Sequence, residues 1–518
     1  MADPISSENE IRQLFESLRK QVDHKKLEEQ SKSVLDRELS SSAKAQERLK
    51  ELVYKHQFDS SSQDILNPSN WWNTNEAIIS RQINKFYWQR ENNTTLTLSE
   101  ALREADVIAD KLSRFGIYHP KILTYVDTSE KHYPNLTPIP IDIYFKTQER
   151  GRVSLKTGTD FGNAEGSAYG NLTWRNIFGG AELLNLNASA GTRTRSAYQA
   201  TFETPLFSDP DKKIGLDIFA SSTLKPWASH EEVNKGVGLR YDWVSKSESR
   251  HQIGYTGLWR QITGLATDAS RTIRHEAGDS VKSSITHIWT SDHRDHPLQP
   301  TRGYLLKSIS EIAGWGPLQG DVGFLKTEIE SAFAFPLRVP GLKDENGISF
   351  TNGFRAGVLY PIPTGFGKET SPSRINDRFI LGGPTDVRGF KISGLGPRDG
   401  QDSVGGDIYA AASTNLLIPF PKTGKDSPLR FQIFANAGRL LALSGERSKE
   451  TNKLDYRKNL VNTVSELTNG LPSLAAGVGL VYLHPVARFE LNFCLPFVLR
   501  KGEESRKGLQ FGVGINFL

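Results

Sequence analysis

The chain has one cysteine, Cys494, in 518 residues, which excludes a disulfide framework and a thiolate metal site. It has no run of about 18 consecutive apolar residues, the length that a helical membrane span needs. Neither charge dominates: 64 Lys and Arg stand against 59 Asp and Glu, a net +5. Over such a length that is too dilute for a nucleic-acid surface. The opening segment, Met1 to Glu10, is acidic and polar. It carries neither the apolar core of a secretory signal nor the Arg-rich character of a matrix presequence. No nucleophile, base and oxyanion donors assemble into a pattern, so no enzyme and no cofactor are expected.

What is plentiful is glycine (45) and aromatic side chains (Phe 26, Tyr 15, Trp 9). A mean hydropathy of −0.45 reads as soluble. A membrane barrel reads the same way, because lipid-facing and lumen-facing residues alternate and cancel in any window.

Three regions follow from the pattern. Residues 1–66 are expected to be a charged arm, helical or disordered, with Ile11, Leu14, Phe15, Leu18 and Val22 at helical spacing and a Ser-rich linker behind them. Residues 67–147 read as a small α/β module. Ser99 can cap a helix with Leu102, Ala105, Ile108 and Leu112 in one stripe, and Gly116 stands where a helix end wants a left-handed residue. A short strand at Ile122–Val126 and an alternating one, Ile139, Ile141, Ile143 and Phe145, complete it.

Residues 148–518 are different in kind. Segments of period-two alternation succeed one another, as in Arg488-Phe-Glu-Leu-Asn-Phe-Cys-Leu495, where one face is Phe, Leu, Phe, Leu and the other Arg, Glu, Asn, Cys. Roughly sixteen such strands begin between Arg152 and Gly508, among them ones at Asn234, Arg250, Leu429 and Ser473. So many strands sit badly in one open soluble sheet, and closure removes the edges. The expected fold is mainly β: a sixteen-stranded antiparallel transmembrane β-barrel in the lipid bilayer, behind the α/β module. From Pro361 to Val404 strand signals fail over a stretch far longer than an ordinary loop. Its centre, Phe379-Ile-Leu-Gly-Gly-Pro-Thr-Asp-Val-Arg-Gly-Phe390, is too apolar for a disordered loop, so a packed tip is expected. His287, Asp292, His293, Asp295 and His296 cluster, but their spacing mixes both faces of a strand with its loop, so no metal site is expected.

Within that stretch Gly382, Gly383, Asp386, Val387, Arg388, Gly389 and Phe390 resemble the (V/I)RGF loop of the barrel-assembly superfamily of bacteria, mitochondria and chloroplasts. Asp295, Pro297, Pro300 and Gly303 are similar to that family's D-x-P-x-x-P-x-x-G segment leading into a barrel strand, and Gly405 to Asn415 resembles the strand after its long loop. The front module resembles one POTRA domain. Together they look like the mitochondrial sorting and assembly machinery (SAM) branch of the family.

The resemblance implies an insertase of the mitochondrial outer membrane, a multi-pass barrel with its N-terminal domain in the intermembrane space. Its partners would be β-barrel precursors such as porins, and accessory outer-membrane SAM subunits. It also implies that the loop folds inward and sets Arg388 against the wall. Bacterial relatives offer two acids there; the matching positions here are Asn415 and Asn436, which points to neutral hydrogen bonds, with Asp407 as the possible acid. A client-pairing seam is expected between the first strand, carrying Val153 and Leu155, and the last, carrying Gly512, Gly514 and Phe517. Gln510 to Phe517 is similar to the β-signal that closes mitochondrial barrel clients. A polypeptide-translocating barrel and a solute-conducting porin are the competing readings.

Overall fold

The computed structural model describes residues 60–65, 96–120, 122–128, 139–162, 165–337, 347–367, 370–420, 427–443, 456–484 and 487–514. The helical part of the expected arm lies outside them.

The first unit holds β1 (Ser60–Ile65), β2 (Leu96–Thr97), α1 (Leu98–Arg114), β3 (Leu123–Thr128) and β4 (Ile139–Lys146), with sheet order β2-β1-β4-β3. β1 runs parallel to β4, so the sheet reaches back into residues assigned to the arm. Ser-Ser-Ser-Gln-Asp-Ile has no apolar alternation, and backbone pairing alone makes it a strand. α1 starts one residue before Ser99, which is therefore inside the first turn rather than capping it. Its buried stripe is Ala101, Ala105, Ile108 and Leu112, with Ala101 in the place expected for Leu102. Gly116 has the expected positive φ of 76°. In β4, Ile143 and Phe145 are buried while Tyr144 between them is exposed.

The second unit is a meander of β5 (Val153–Gly162), β6 (Glu165–Arg175), β7 (Leu183–Gly191), β8 (Thr194–Pro205), β9 (Lys212–Lys225), β10 (His230–Val244), β11 (Arg250–Thr263), β12 (Gly278–Asp292), β13 (Gly303–Ala313), β14 (Phe324–Pro336) and β15 (Ser349–Pro361). The long loop follows, with the small hairpin β16 (Arg398–Asp399) and β17 (Asp402–Ser403). The meander resumes with β18 (Ile408–Pro419), β19 (Leu429–Leu441), β20 (Ser473–Leu483), β21 (Arg488–Val498) and β22 (Gly508–Gly514). Leaving out the loop hairpin, sixteen strands pair antiparallel in sequence order, β15 bridging directly to β18. The expected starts at Arg250, Leu429, Ser473 and Gly508 coincide with the observed ones, and Asn234 falls inside a strand that begins at His230.

The face of each strand is set by alternation. In β19, Phe431 and Ile433 are exposed on the outer face, while Arg430, Gln432, Phe434 and Asn436 are buried inside. In β21 and β22 the outward pairs are Leu491–Phe511 and Phe493–Leu509, and the inward ones Glu490–Gly512 and Asn492–Gln510. An outer surface of Phe, Ile, Leu and Val around a polar interior is stable against acyl chains and not against water. Two helices sit in connections: α2 (Arg271–His275) between β11 and β12, and α3 (Tyr456–Asn469) between β19 and β20.

β13 opens on Gly303, whose φ is +100° and where a Cβ would lie 2.0 Å from the His293 carbonyl oxygen. Gly303→Ala is expected to cost about 1–3 kcal/mol and to lower the unfolding temperature of the purified barrel in micelles, where Gly502→Ala, with open space around it, should cost less.

Candidate functional site

The long loop is folded into the lumen and tied to the wall by two buried ion pairs, Arg388–Glu490 and Asp377–Arg260. Its tip turns on glycines with positive φ: Gly382 (109°), Gly383 (136°) and Gly389 (87°). The Asp386 carboxylate accepts the Gly382 N–H (2.8 Å) and pairs with Arg355 of β15. Val387 and Phe390 are fully buried among Phe379, Leu381, Leu395, Leu440 and Ala475. A Cβ on Gly389 would stand 2.7 Å from that of Ala475, so the motif's glycine is required by fit as well as by φ.

Between those two apolar anchors the Arg388 guanidinium is buried against the wall. Its Nε donates to Glu490 Oε2 (2.9 Å) and its Nη1 to Asn415 Oδ1 (2.8 Å), Asn436 Oδ1 (3.3 Å) and Ser413 Oγ (3.5 Å). The guanidinium carbon lies 4.9 Å above the Phe434 ring. Asn415 and Asn436 both accept from the arginine, and an ion pair is present too. The acid is Glu490 on β21, where the sequence pointed to Asp407. Asp407 instead accepts the Ser373 hydroxyl (2.5 Å) and the Leu443 N–H (2.8 Å), and lies 3.9 Å from Arg378. It ties the loop around Ser373 and Arg378 to the entry of β18 and to the connection after β19.

Glu490 is fully buried and shared: Arg488 approaches it to 2.5 Å and the Asn492 amide donates to it at 2.8 Å. Arg488 also donates to Gln432 (3.2 Å) and to the Leu298 carbonyl (3.5 Å). Leu298 belongs to the Asp295–Gly303 segment. There Asp295 accepts the N–H groups of His296, Thr301 and Arg302 (2.9, 2.9 and 3.2 Å) and the Thr301 hydroxyl. Burial alone would raise the Asp295 carboxyl; these hydrogen bonds, the Thr301 hydroxyl's first, hold it below the ordinary range. Pro297, whose carbonyl accepts from Arg294 (3.1 Å), and Pro300 have no N–H to satisfy. The two motifs that the sequence presents separately are therefore joined through Arg488 and Glu490. His287 stacks on His251 (5.6 Å) and Asp292 pairs with Arg294 (2.7 Å), so the histidine-rich cluster is dispersed.

The second hold went unnoticed in the sequence. Asp377 takes both arms of the Arg260 fork at 2.7 Å, with both side chains buried. Lys282 stands 3.4 Å away, and Lys326 donates to the Asp377 carbonyl (2.9 Å) while lying over the Phe379 ring. Burial would raise this carboxyl; the Arg260 hydrogen bonds and charge, with the two lysines, keep it below the usual range. No motif marks Asp377. Its signal was only an acid two residues before apolar Phe379 in an overlong loop.

At the ends of the ladder, Val153 and Leu155 point outward, 59% and 67% exposed. Gly512 and Gly514 stand opposite Glu490 and Arg488; Phe517 lies outside the described residues. β22 and β5 approach within 8 Å, but among the described residues no registered ladder joins them.

A meander barrel with a loop returned into its lumen and pinned by an arginine defines a class, and comparison identifies it. Residues 176–517 match the Omp85 superfamily domain. A SAM50-like protein of Schizosaccharomyces pombe is 40% identical over 73% of this chain and 75% of its own. The human sorting and assembly machinery component 50 homolog is 32% identical over 81% of this chain and 84% of its own. The crystal structure of BamA from Haemophilus ducreyi lacking POTRA domains 1–3 superposes with a TM-score of 0.65 at 17% identity, covering 88% of this chain and 84% of that one. The chain belongs to the Omp85 superfamily, in the branch of the sorting and assembly machinery component 50 homologues.

Arg388→Lys is expected to fail almost as badly as Arg388→Ala. A single ammonium cannot reach Glu490 and Asn415 together in planar geometry, and breaking a buried pair costs about 3–5 kcal/mol. Both variants should expose the loop between Arg378 and Arg398 to trypsin. A lysine variant as resistant as wild type would show that charge alone suffices.

Proposed function

We propose that this protein inserts and folds β-barrel precursors in the mitochondrial outer membrane. The observation that carries the reading is the seam: among the described residues each strand is registered with its neighbour along the meander, while the first and last strands approach within 8 Å with no registered ladder between them. An edge strand can serve as a template for another chain. A client strand pairing there gains main-chain hydrogen bonds without ATP or a bound cofactor, in keeping with a non-enzymatic machine. Glycines at 512 and 514 weaken that junction further, since they offer no cross-strand side-chain contact.

Porin-like precursors are the clients on this reading, and accessory outer-membrane SAM subunits and bilayer lipid the other partners. The α/β module, a single POTRA domain by its resemblance, faces the intermembrane space and helps deliver clients. A solute porin is disfavoured because it explains neither the α/β module nor a long loop braced against the inner wall. A translocation pore is disfavoured because such relatives usually carry more than one POTRA domain.

Depleting the protein should abolish membrane insertion of imported porin while leaving import of matrix proteins unchanged at first; normal porin assembly would end the proposal. For the pairing mechanism, one cysteine in Val153–Gly162 and one in Gly508–Gly514, in a Cys494→Ala background, should on oxidation stall porin insertion and on reduction release it. A locked seam that works at the normal rate would move the client site elsewhere. The N-terminal arm should resist protease in intact mitochondria and be cut after outer-membrane rupture, the reverse pattern placing the module in the cytosol.

A further inference from the structure

The last strand is tied to the loop from the lumen side. Gln510, in the middle of β22 and 3% exposed, accepts the Gly389 N–H through Oε1 (2.9 Å) and donates through Nε2 to the Phe390 carbonyl (3.1 Å). One carboxamide thus occupies a donor and an acceptor of the loop backbone, as a neighbouring strand would. The connection leading into β22 is tied as well. Arg506 N–H donates to the Gly389 carbonyl (2.8 Å), Lys391 N–H to that of Glu504 (3.1 Å), and Glu504 N–H to that of Gly394 (2.8 Å). Phe390 and Ser505 form an antiparallel bridge. The tip of the loop is in effect a short extra strand beside the approach to β22, and Gln510 repeats the grip further along.

These ties matter because, among the described residues, the registered ladder of β22 is the one with β21. We propose that Gln510 is a positioning residue that couples the seam strand to the luminal loop, so that β22 cannot shift without freeing Gly389 and Phe390. The proposal rests on reading the seam as the client site, since the ties of a strand that must yield to an incoming one decide when it yields. Displacing β22 would leave a buried N–H and C=O unpaired on the loop, a penalty that falls on the tip carrying Arg388. The loop's other hold, Asp377 on Arg260, lies far along the wall and does not touch β22.

The test is amide hydrogen exchange of the full-length protein in liposomes, read by mass spectrometry on peptides covering 373–381, 387–394 and 508–514. Gln510→Leu keeps the volume but neither accepts nor donates. Gln510→Glu, ionised, accepts from Gly389 and cannot donate to Phe390. Q510L is expected to speed exchange about tenfold in both 387–394 and 508–514, Q510E by less, and Asp377→Asn to speed 373–381 alone. If Q510L speeds β22 while 387–394 exchanges at the wild-type rate, or changes neither, the coupling does not exist. Should Q510L also exchange throughout β10 and β11, the barrel is misfolded and Q510E is judged by the same criteria. Porin insertion by wild-type liposomes is measured alongside: its failure would sink the functional reading and leave the coupling standing.

Discussion

A guanidinium does not give up its proton at any physiological pH, so Arg388 must find acceptors wherever the loop goes. In a lumen packed with side chains those acceptors have to be built in. Glu490 supplies the charge, Asn415, Asn436 and Ser413 the neutral oxygens, and Phe434 a ring face. Because Glu490 is shared with Arg488, which reaches the Leu298 carbonyl, satisfying one arginine fixes a wall, a loop and the turn ahead of β13. The apolar tip residues Val387 and Phe390 then only have to fill the space that the charge has located.

The loop's second hold changes what kind of object it is. With Asp377 on Arg260 at one side and Arg388 on β18, β19 and β21 at the other, the loop is a cross-brace rather than a flap. Two buried charged pairs of opposite polarity, one with the acid on the loop and one with the base on it, set its direction as well as its position, and the partly buried Asp386–Arg355 pair adds a further tie at the tip. Exchanging them end for end would set acid against acid and base against base.

How much of this was legible follows from which signals are local. Strand starts such as Arg250 and Leu429 could be read because alternation is a property of consecutive residues. Arg388 and its glycines could be read because the motif is contiguous. Glu490 was visible only as one polar residue on the Arg-Glu-Asn face of its strand; its pairing spans 102 positions and depends on how the loop returns, which no window contains. Asp377 and Arg260 are 117 positions apart and carry no motif. β1 was missed for the opposite reason: Ser60–Ile65 is a strand through backbone pairing to β4, and its side chains say nothing of it.

One feature of the topology bears on time rather than space. Every acceptor named for Arg388 comes from β18, β19 and β21, and the backbone of its neighbours is held by Gln510 in β22. All of these lie later in the chain than the loop. Arg388 therefore meets its charged partner only when strands that follow the loop have joined the wall, whereas Asp377 and Asp386 find theirs on β11 and β15, ahead of it. The Arg388 tip is fully seated only in a finished wall, and an insertase that is itself a barrel thereby carries an internal mark of its own completion.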